Sequence, residues 1–275
     1  MTKSLGILFA FTILLSACNK NKFIRPGDTA EVAYNKAMKL FEDEDYVDAA
    51  DAFDTVTRVA RGSEYAENAQ YYLAESYYRS EQFLLAASEF DRFVSYYPQS
   101  TQRQEVEYKA ALCFFNISPR YRLDQTETRQ AIERFQLYIN RYPNSEYVPD
   151  AADKIDRLRE KLARKDFEAG EFYYRTNRYE AATIYYTLTI DQYPETVWAE
   201  RALIRQINAF IDYADNSVEE RQVERYSKAI ETYEKFIQLF PTSEYRAEAE
   251  LLRDQAEKRL LELGGNSGIV QSDQG

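Results

Sequence analysis

Apolar and polar residues along the chain show no strict alternation of the kind that a half-buried β-strand produces. Residues that favour helices dominate, and glycine, which weakens a helix, is scarce. Of the eight glycines, only Gly27, Gly62 and Gly170 lie in the body of the chain, too few for a glycine-rich loop that cradles a phosphate. The pattern therefore predicts an all-α fold.

A repeat organises the chain. Four segments end alike, in VSYYPQS, INRYPNS, IDQYPET and IQLFPTS; an alanine stands twelve residues before each proline, and an aromatic residue follows that alanine by four. A fifth copy at the front has the alanine and the aromatic residue, but carries Arg61 in place of the proline. The signature positions are Ala49, Phe53, Ala86, Phe90, Pro98, Ala131, Phe135, Pro143, Ala182, Tyr186, Pro194, Ala229, Tyr233 and Pro241.

This spacing has a physical basis in a helix hairpin. The small residue lets two helices approach closely, and the aromatic residue one turn later fills the gap to the next unit. The proline ends the second helix, because the residue before a proline is pushed out of the helical region. The pattern resembles the tetratricopeptide repeat and predicts a solenoid of about five such hairpins.

The N-terminal end carries a short apolar stretch that closes with ILLSACNK. Lys3 precedes it, and the small residues Ser16 and Ala17 stand directly before Cys18, which are the parts of a secretory signal peptide. The run is too short to cross a bilayer as a helix. Leu15 to Cys18 resembles the lipobox of bacterial lipoproteins, so Cys18 is the predicted lipid attachment site. The alternative is an ordinary signal peptide next to a free thiol.

Together these features predict five segments. They are a lipoprotein signal peptide over 1–17, a lipidated tether over 18–29, N-terminal repeats 1 to 3 over 30–147, a long linking helix with C-terminal repeats 4 and 5 over 148–263, and a disordered tail over 264–275.

Composition excludes several functions. The formal charge is −11, which makes the chain a poor candidate for binding nucleic acid, whose phosphates demand a basic face. The chain has no histidine, which excludes triads with a histidine base and most transition-metal sites. Cys113 is expected to be a small buried hydrophobe. We predict a scaffold without catalysis, cofactor or metal; the rival, a glycosidase with two carboxylates, lacks a predicted buried carboxylate pair.

One run of the chain resembles the BamD (YfiO) family of outer-membrane β-barrel assembly lipoproteins. The residues that carry the resemblance are Asp124, Gln125, Ala131, Phe135, YPNSEY over 142–147, Asp150, Ala151, Leu158, Leu162, Ala163, Tyr173 and Tyr174. The resemblance implies a lipid anchor on the periplasmic face of the outer membrane. It also implies that the C-terminal repeats bind BamA through a POTRA domain and that the N-terminal repeats receive unfolded barrel precursors. The alternative is a repeat scaffold of another envelope complex, for cell division or glycan binding.

The first helices of a repeat solenoid line its concave face, and such faces bind peptides. Two positions per repeat are expected to face this groove, and we call their residues the aromatic ladder. Its members are Tyr34, Tyr71, Tyr108 and Phe167 in one row, and Phe41, Tyr78, Phe115 and Tyr174 in the other. The alternative is that these aromatic residues pack between repeats, as Tyr77 and Tyr173 are expected to do.

Two arginines follow the ladder directly. Arg79 and Arg175 stand one residue beyond Tyr78 and Tyr174, where they could pair with the carboxylate end of a bound strand. The alternative is that both are solvated surface arginines.

Overall fold

The computed structural model describes residues 23–272, with side chains through residue 264. The predicted signal peptide, Cys18 and most of the tether lie outside the described residues.

The described residues form eleven α-helices and no strand, which confirms the predicted all-α class. None of these helices combines the length and the apolar character that a bilayer crossing needs. The helices are α1 (Ala30–Glu42), α2 (Tyr46–Val59), α3 (Ala66–Arg79), α4 (Phe83–Tyr96), α5 (Arg103–Ile117), α6 (Thr126–Arg141), α7 (Val148–Arg175), α8 (Tyr179–Gln192), α9 (Val197–Asp215), α10 (Glu219–Leu239) and α11 (Arg246–Ser272).

The chain divides into two compact units, 1–116 and 117–275. The boundary falls at the end of α5, the first helix of repeat 3, whereas the repeats were grouped above with a division after residue 147. The first helices of the five hairpins are, in order, α1, α3, α5, the C-terminal part of α7, and α9.

The core of the first unit is built from small residues and rings. Ala49 and Phe53 of α2 are fully buried, and the Phe53 ring stacks on Tyr72 with centroids 5.6 Å apart. Phe90 and Phe93 of α4 pack in a second cluster. That cluster includes Val106, Ala110 and Cys113 of α5, and Cys113 is fully buried there.

The second unit contains one approach that requires a glycine. A Cβ built on Gly170 of α7 would lie 2.6 Å from Cε1 of Tyr186, a ring carbon of α8. Gly170 therefore lets the fully buried Tyr186 ring reach the α7 backbone.

The second helices end where the repeat predicts. α4, α6, α8 and α10 each stop two residues before the signature proline. In repeat 1, where Arg61 replaces the proline, α2 ends at Val59 and Gly62 adopts a left-handed φ of 80°. This glycine supplies the turn that proline supplies elsewhere.

Two helices are longer than the other nine. α7 runs without interruption through 28 residues and includes the first helix of repeat 4. α11 continues to Ser272, into the tail that was predicted to be disordered from residue 264. A helix that has already formed gains one hydrogen bond per added residue, so it can extend through residues that would not start one.

Candidate functional site

The first row of the aromatic ladder lies among neighbouring side chains. The Tyr34 ring is half-buried, with its centroid 5.2 Å from that of Tyr65. Tyr71 is half-buried beside Phe93, with ring centroids 6.3 Å apart. Tyr108 is only 8% exposed. All three therefore contribute to packing within the first unit.

Phe167, which closes this row in the second unit, is also half-buried. Its ring lies 5.9 Å from that of Tyr186 and 5.3 Å from that of Trp198.

The second row is half-buried throughout. Phe41 lies 5.1 Å from Tyr72, and Tyr78 lies 5.5 Å from Phe83, between ring centroids. The Tyr78 hydroxyl accepts a hydrogen bond from Asn116 at 3.3 Å. No residue of either row is among the exposed large hydrophobic residues of the described chain. Packing therefore occupies part of each ring, and contact with a bound peptide stays a prediction.

Arg79 and Arg175 differ in their surroundings, although both side chains are exposed. Arg79 donates from Nε to Oε1 of Glu75 at 2.8 Å, so a carboxylate already compensates its charge. Among the described residues, Arg175 has no carboxylate within 4 Å. Arg175 is thus the freer of the two predicted partners for a bound carboxylate.

The first unit holds a charged network that the sequence analysis missed. Glu75 is nearly buried and accepts from Lys109 Nζ at 2.9 Å. Lys109 also contacts Glu105 at 2.8 Å and donates to the Tyr71 hydroxyl at 2.7 Å. Tyr71 in turn donates to Glu105 at 2.9 Å. The network joins α3 to α5, the first helices of two successive repeats.

Burial and hydrogen bonding shift the proton affinities here. Burial raises the pKa of the Tyr71 phenol to about 12. Burial alone would lower the pKa of the Lys109 ammonium, but hydrogen bonds to Glu105 and Glu75 outweigh it and raise that pKa above its usual value. Lys109 is therefore held in its charged form.

The second unit repeats this geometry. Glu171 pairs with Arg205, whose Nε and Nη2 lie 2.6 and 3.2 Å from the two carboxylate oxygens. Tyr186 donates to the same carboxylate at 2.5 Å. The pairs Glu75–Lys109 and Glu171–Arg205 are both 34 residues apart, so the same spacing links the first helices of successive repeats in both places.

A ladder tyrosine also takes part in the second unit. Tyr174 donates to Asp212, and burial, followed by that bond, raises the pKa of its phenol above the usual value. The Arg205 guanidinium lies over the Tyr174 ring, 4.4 Å from its centroid. The arrangement holds charges and rings in place between α7 and α9.

Within the described range, no group of three or more His, Cys, Asp or Glu residues could hold a metal ion. The first unit has a cavity of about 790 Å³ between the start of the described chain and α2, lined by Phe23, Ile24, Asp51, Asp54 and Val59 among others.

Comparison with known families and proteins adds to this geometry. The model of a family described as outer membrane lipoprotein matches residues 26–223, and a tetratricopeptide repeat model matches residues 219–243. The chain is 28% identical over 191 residues to the outer membrane protein assembly factor BamD of Caulobacter vibrioides, covering 70% of this chain and 63% of that protein. It is 26% identical over 215 residues to the protein of the same name from Rickettsia prowazekii, covering 77% and 84%.

The chain therefore spans less than two thirds of the Caulobacter protein and most of the Rickettsia protein. Among solved structures, a tetratricopeptide-repeat protein from Bacteroides fragilis is 13% identical with a TM-score of 0.45, covering 84% of this chain and 98% of that one.

Proposed function

The chain belongs to the YfiO family of outer membrane lipoproteins, and on this basis we propose that it is a non-catalytic lipoprotein of the β-barrel assembly complex. It takes part in the insertion of outer-membrane proteins from the periplasmic face, held by acyl chains on Cys18. The observation that carries the proposal is the family match, which extends over residues of both compact units. Relatives named as outer membrane protein assembly factors support it.

The N-terminal repeats are the proposed receptor for unfolded barrel precursors. A barrel strand carries apolar residues at alternate positions. Tyr34, Tyr71 and Tyr78 are half-buried, so each combines a fixed ring with an accessible part. Such rings offer contact area at low entropic cost and a polar tip, which suits a partner that must be released.

The C-terminal repeats are the proposed contact for a BamA-like barrel protein with POTRA domains. Support comes from apolar side chains that the second unit exposes on its last helices. Val223 and Leu239 of α10 and Leu251 and Leu261 of α11 are all exposed. These side chains are available for apolar contact with a partner.

Capture from the native membrane tests the assembly role. A tagged full-length chain is purified from detergent-solubilised outer membrane of its own bacterium, and the co-purified chains are identified. We expect a POTRA-containing barrel protein. Recovery of cell-division or glycan-processing proteins without such a barrel would favour the alternative scaffold and contradict the proposal.

Paired variants locate the contact. Leu251→Glu with Leu261→Glu charges α11, and both positions are exposed, so the fold is expected to persist. The matched control is Leu84→Glu with Leu85→Glu, an apolar pair on α4 that is also exposed. The α11 variant is expected to lose the barrel protein and the α4 variant to retain it; equal recovery would exclude α11 as the contact.

Site-specific crosslinking tests the precursor groove. A photoreactive phenylalanine analogue replaces Tyr78 of the ladder or, as the control, the exposed Tyr96 of α4. Crosslinks to a newly synthesised barrel precursor are expected from position 78 and not from position 96. Crosslinks from position 96 alone would show that the ladder is packing only.

A further inference from the structure

Repeat 1 carries a groove at the point where the described chain begins, and we call it the repeat-1 groove. It is the cavity of about 790 Å³ between the segment before α1 and one face of α2. Residues 23–27 form part of its lining, and its α2 wall includes Asp48, Asp51, Asp54, Arg58 and Val59. Because Phe23 is itself part of the lining, the chain that continues toward Cys18 starts in this groove.

The segment just before α1 is fixed to repeat 1. Ile24 is only 8% exposed and belongs to the core cluster that α1 and α2 form. Asp28 accepts a hydrogen bond from the backbone N–H of Arg25 at 2.8 Å and pairs with Lys36 Nζ at 2.6 Å. The chain therefore leaves the body of repeat 1 at Phe23, well before α1 begins.

The stretch between the predicted lipid and the groove is short. Only residues 19–22 separate Cys18 from Phe23. A fully extended chain advances about 3.3–3.6 Å per residue, so this stretch bridges at most about 17 Å. The α2 wall from Asp48 to Val59 is also about 17 Å long, at a rise of about 1.5 Å per residue. Residues 19–22 thus have the length to follow that wall but cannot extend far beyond repeat 1.

The charges of the segment and the wall are complementary. Residues 19–22 read NKNK, with two lysines and no acid, and alternate residues of an extended chain point to the same side. Asp48, Asp51 and Asp54 follow one another at intervals of three and so lie on one face of α2. The lining holds three aspartates against two arginines, and one of these, Arg58, pairs with Asp54 at 2.6 Å. Two lysines therefore balance the charge of this wall.

Covalent attachment favours this segment over other occupants. A segment joined to Phe23 is present at a roughly millimolar effective concentration, which a separate basic peptide does not reach. The aspartates repel anionic lipid head groups. A purely apolar partner would cover the charge of Asp48 without compensating it.

We propose that residues 19–22 lie in the repeat-1 groove and that Lys20 and Lys22 pair with Asp48 and Asp51 of α2. The lipid on Cys18 is then held at one place on repeat 1, which fixes the side of repeat 1 that faces the membrane. The inference rests on the proposed function only for that lipid, because the contact itself requires no assembly partner.

Zero-length crosslinking tests the contact in the wild-type protein. The mature acylated chain is purified in detergent and treated with a water-soluble carbodiimide, which joins a lysine amine to a carboxylate only where the two touch. Linked peptides are identified by mass spectrometry. We expect amide bonds from Lys20 or Lys22 to Asp48 or Asp51, at a much higher yield than to the exposed acids over 42–45.

Cleavage by trypsin measures how firmly the segment is held. Trypsin cuts after either lysine of the segment, and loss of the acylated N-terminal piece reports the cut by mass. Asp48→Asn with Asp51→Asn is expected to speed this cleavage about fivefold, because the open fraction of the segment sets the rate. The matched control, Asp43→Asn with Asp45→Asn, removes the same charge outside the groove and is expected to be cleaved at the wild-type rate. Both variants are expected to keep the melting temperature, since all four side chains are exposed.

Three results overturn the inference. The first is a yield of crosslinks to the α2 wall no higher than the yield to residues 42–45. The second is equal cleavage of the wild type, the groove variant and the control. The third is a crosslink from the α2 wall to a lysine of another chain in place of Lys20 and Lys22, which would assign the groove to a partner.

Isotope labelling identifies such a partner. A mixture of labelled and unlabelled protein separates crosslinks within one copy from those between two copies, and crosslinks between copies alone would assign the groove to a second copy and contradict the proposal. The crosslinks report on the groove whichever complex the protein serves. Failure here therefore leaves the capture experiment on the native membrane to succeed or fail on its own.

Discussion

Repeats 2 and 4 hold a glutamate at the same position of their first helix and surround it differently. Glu75 in the first unit has a side chain only 4% exposed, against 17% for Glu171 in the second. Glu75 pairs with the ammonium group of Lys109, which also contacts Tyr71 and Glu105. Glu171 meets the planar guanidinium of Arg205, which reaches both carboxylate oxygens.

Two matching positions near these glutamates also differ between the repeats. Tyr186 in the second unit stands where the first unit has Phe90, and its hydroxyl donates to Glu171. The position of Gly170 is occupied by Ala74 in the first unit. The second unit thus has a tyrosine and a glycine where the first unit has a phenylalanine and an alanine. The comparison teaches that a repeat keeps the place of its polar link while changing the groups that satisfy it.

Removal of the Glu75 charge is expected to have the largest effect. Glu75→Gln removes a nearly buried carboxylate that Lys109 and Arg79 share and leaves the partly buried Lys109 with Glu105 alone, at a cost of about 3 kcal/mol in the free energy of unfolding. Glu171→Gln is expected to cost less, about 2 kcal/mol, because that pair is more exposed. Urea unfolding followed by circular dichroism measures both. An equal or reversed order would contradict the comparison.

Gly170→Ala comes next. The added Cβ would meet a ring carbon of Tyr186 at 2.6 Å, and we expect a loss of about 2 kcal/mol in the free energy of unfolding. The same variant in a Tyr186→Phe background tests the cause. Because ring carbons make the contact, removal of the hydroxyl is not expected to restore stability; full restoration would show that the hydroxyl bond, not the ring, demands glycine.

Tyr71→Phe gives the first unit the residue that the second unit has at the matching position, which is Phe167. We expect a loss of about 1 kcal/mol at neutral pH, because the hydrogen bonds with Glu105 and Lys109 disappear. The measurement is urea unfolding at pH 7.

The pH profile sharpens this prediction. An unfolded tyrosine ionises near pH 10, whereas the pKa of Tyr71 is raised to about 12 in the folded chain. The unfolded state therefore loses its proton first, and stability falls as the pH rises between these values. Lys109, whose pKa is also raised, contributes stability that is complete below its unfolded value and lost as the pH rises through the folded one. Tyr71→Phe is expected to make the decline shallower; an unchanged slope would assign it to other groups.

The smallest expected effect lies in the turns between paired helices. Glu81 in repeat 2 and Asn177 in repeat 4 occupy matching positions, with left-handed φ values of 60° and 58°. Glu81→Gly is expected to stabilise by up to about 1 kcal/mol, because glycine adopts this conformation freely. Asn177→Gly is expected to gain less, since asparagine already tolerates it. Melting temperatures of the two variants decide the order.

Sequence alone predicted the parts of this fold that depend on local chemistry. The signature prolines and alanines predicted the hairpins and the ends of their second helices. The charged links escaped prediction, because any of 46 acidic residues could pair and only the structure brings Glu75 to Lys109. The extension of α11 beyond residue 264 also escaped, since it depends on the helix that precedes it.

The contacts of Arg164 with Tyr121 and Trp198 show the same limit more clearly. Tyr121, Arg164 and Trp198 come from a loop and from two different helices, and no spacing in the sequence links them. The predicted groove residues had the opposite character, because a repeat places them at regular intervals. Regular spacing predicts where a ring lies along a helix. The fraction of the ring that is buried depends on the neighbouring side chains, which the spacing does not give.

Depletion of the protein in its own bacterium tests the central claim most directly. The measurement is the amount of folded barrel protein in the outer membrane, followed over time by resistance to denaturation in detergent at low temperature. If the chain serves barrel assembly, folded barrels are expected to decline and unfolded precursors to accumulate, with recovery when the wild-type chain is restored. Unchanged folded barrels after complete depletion would contradict the account.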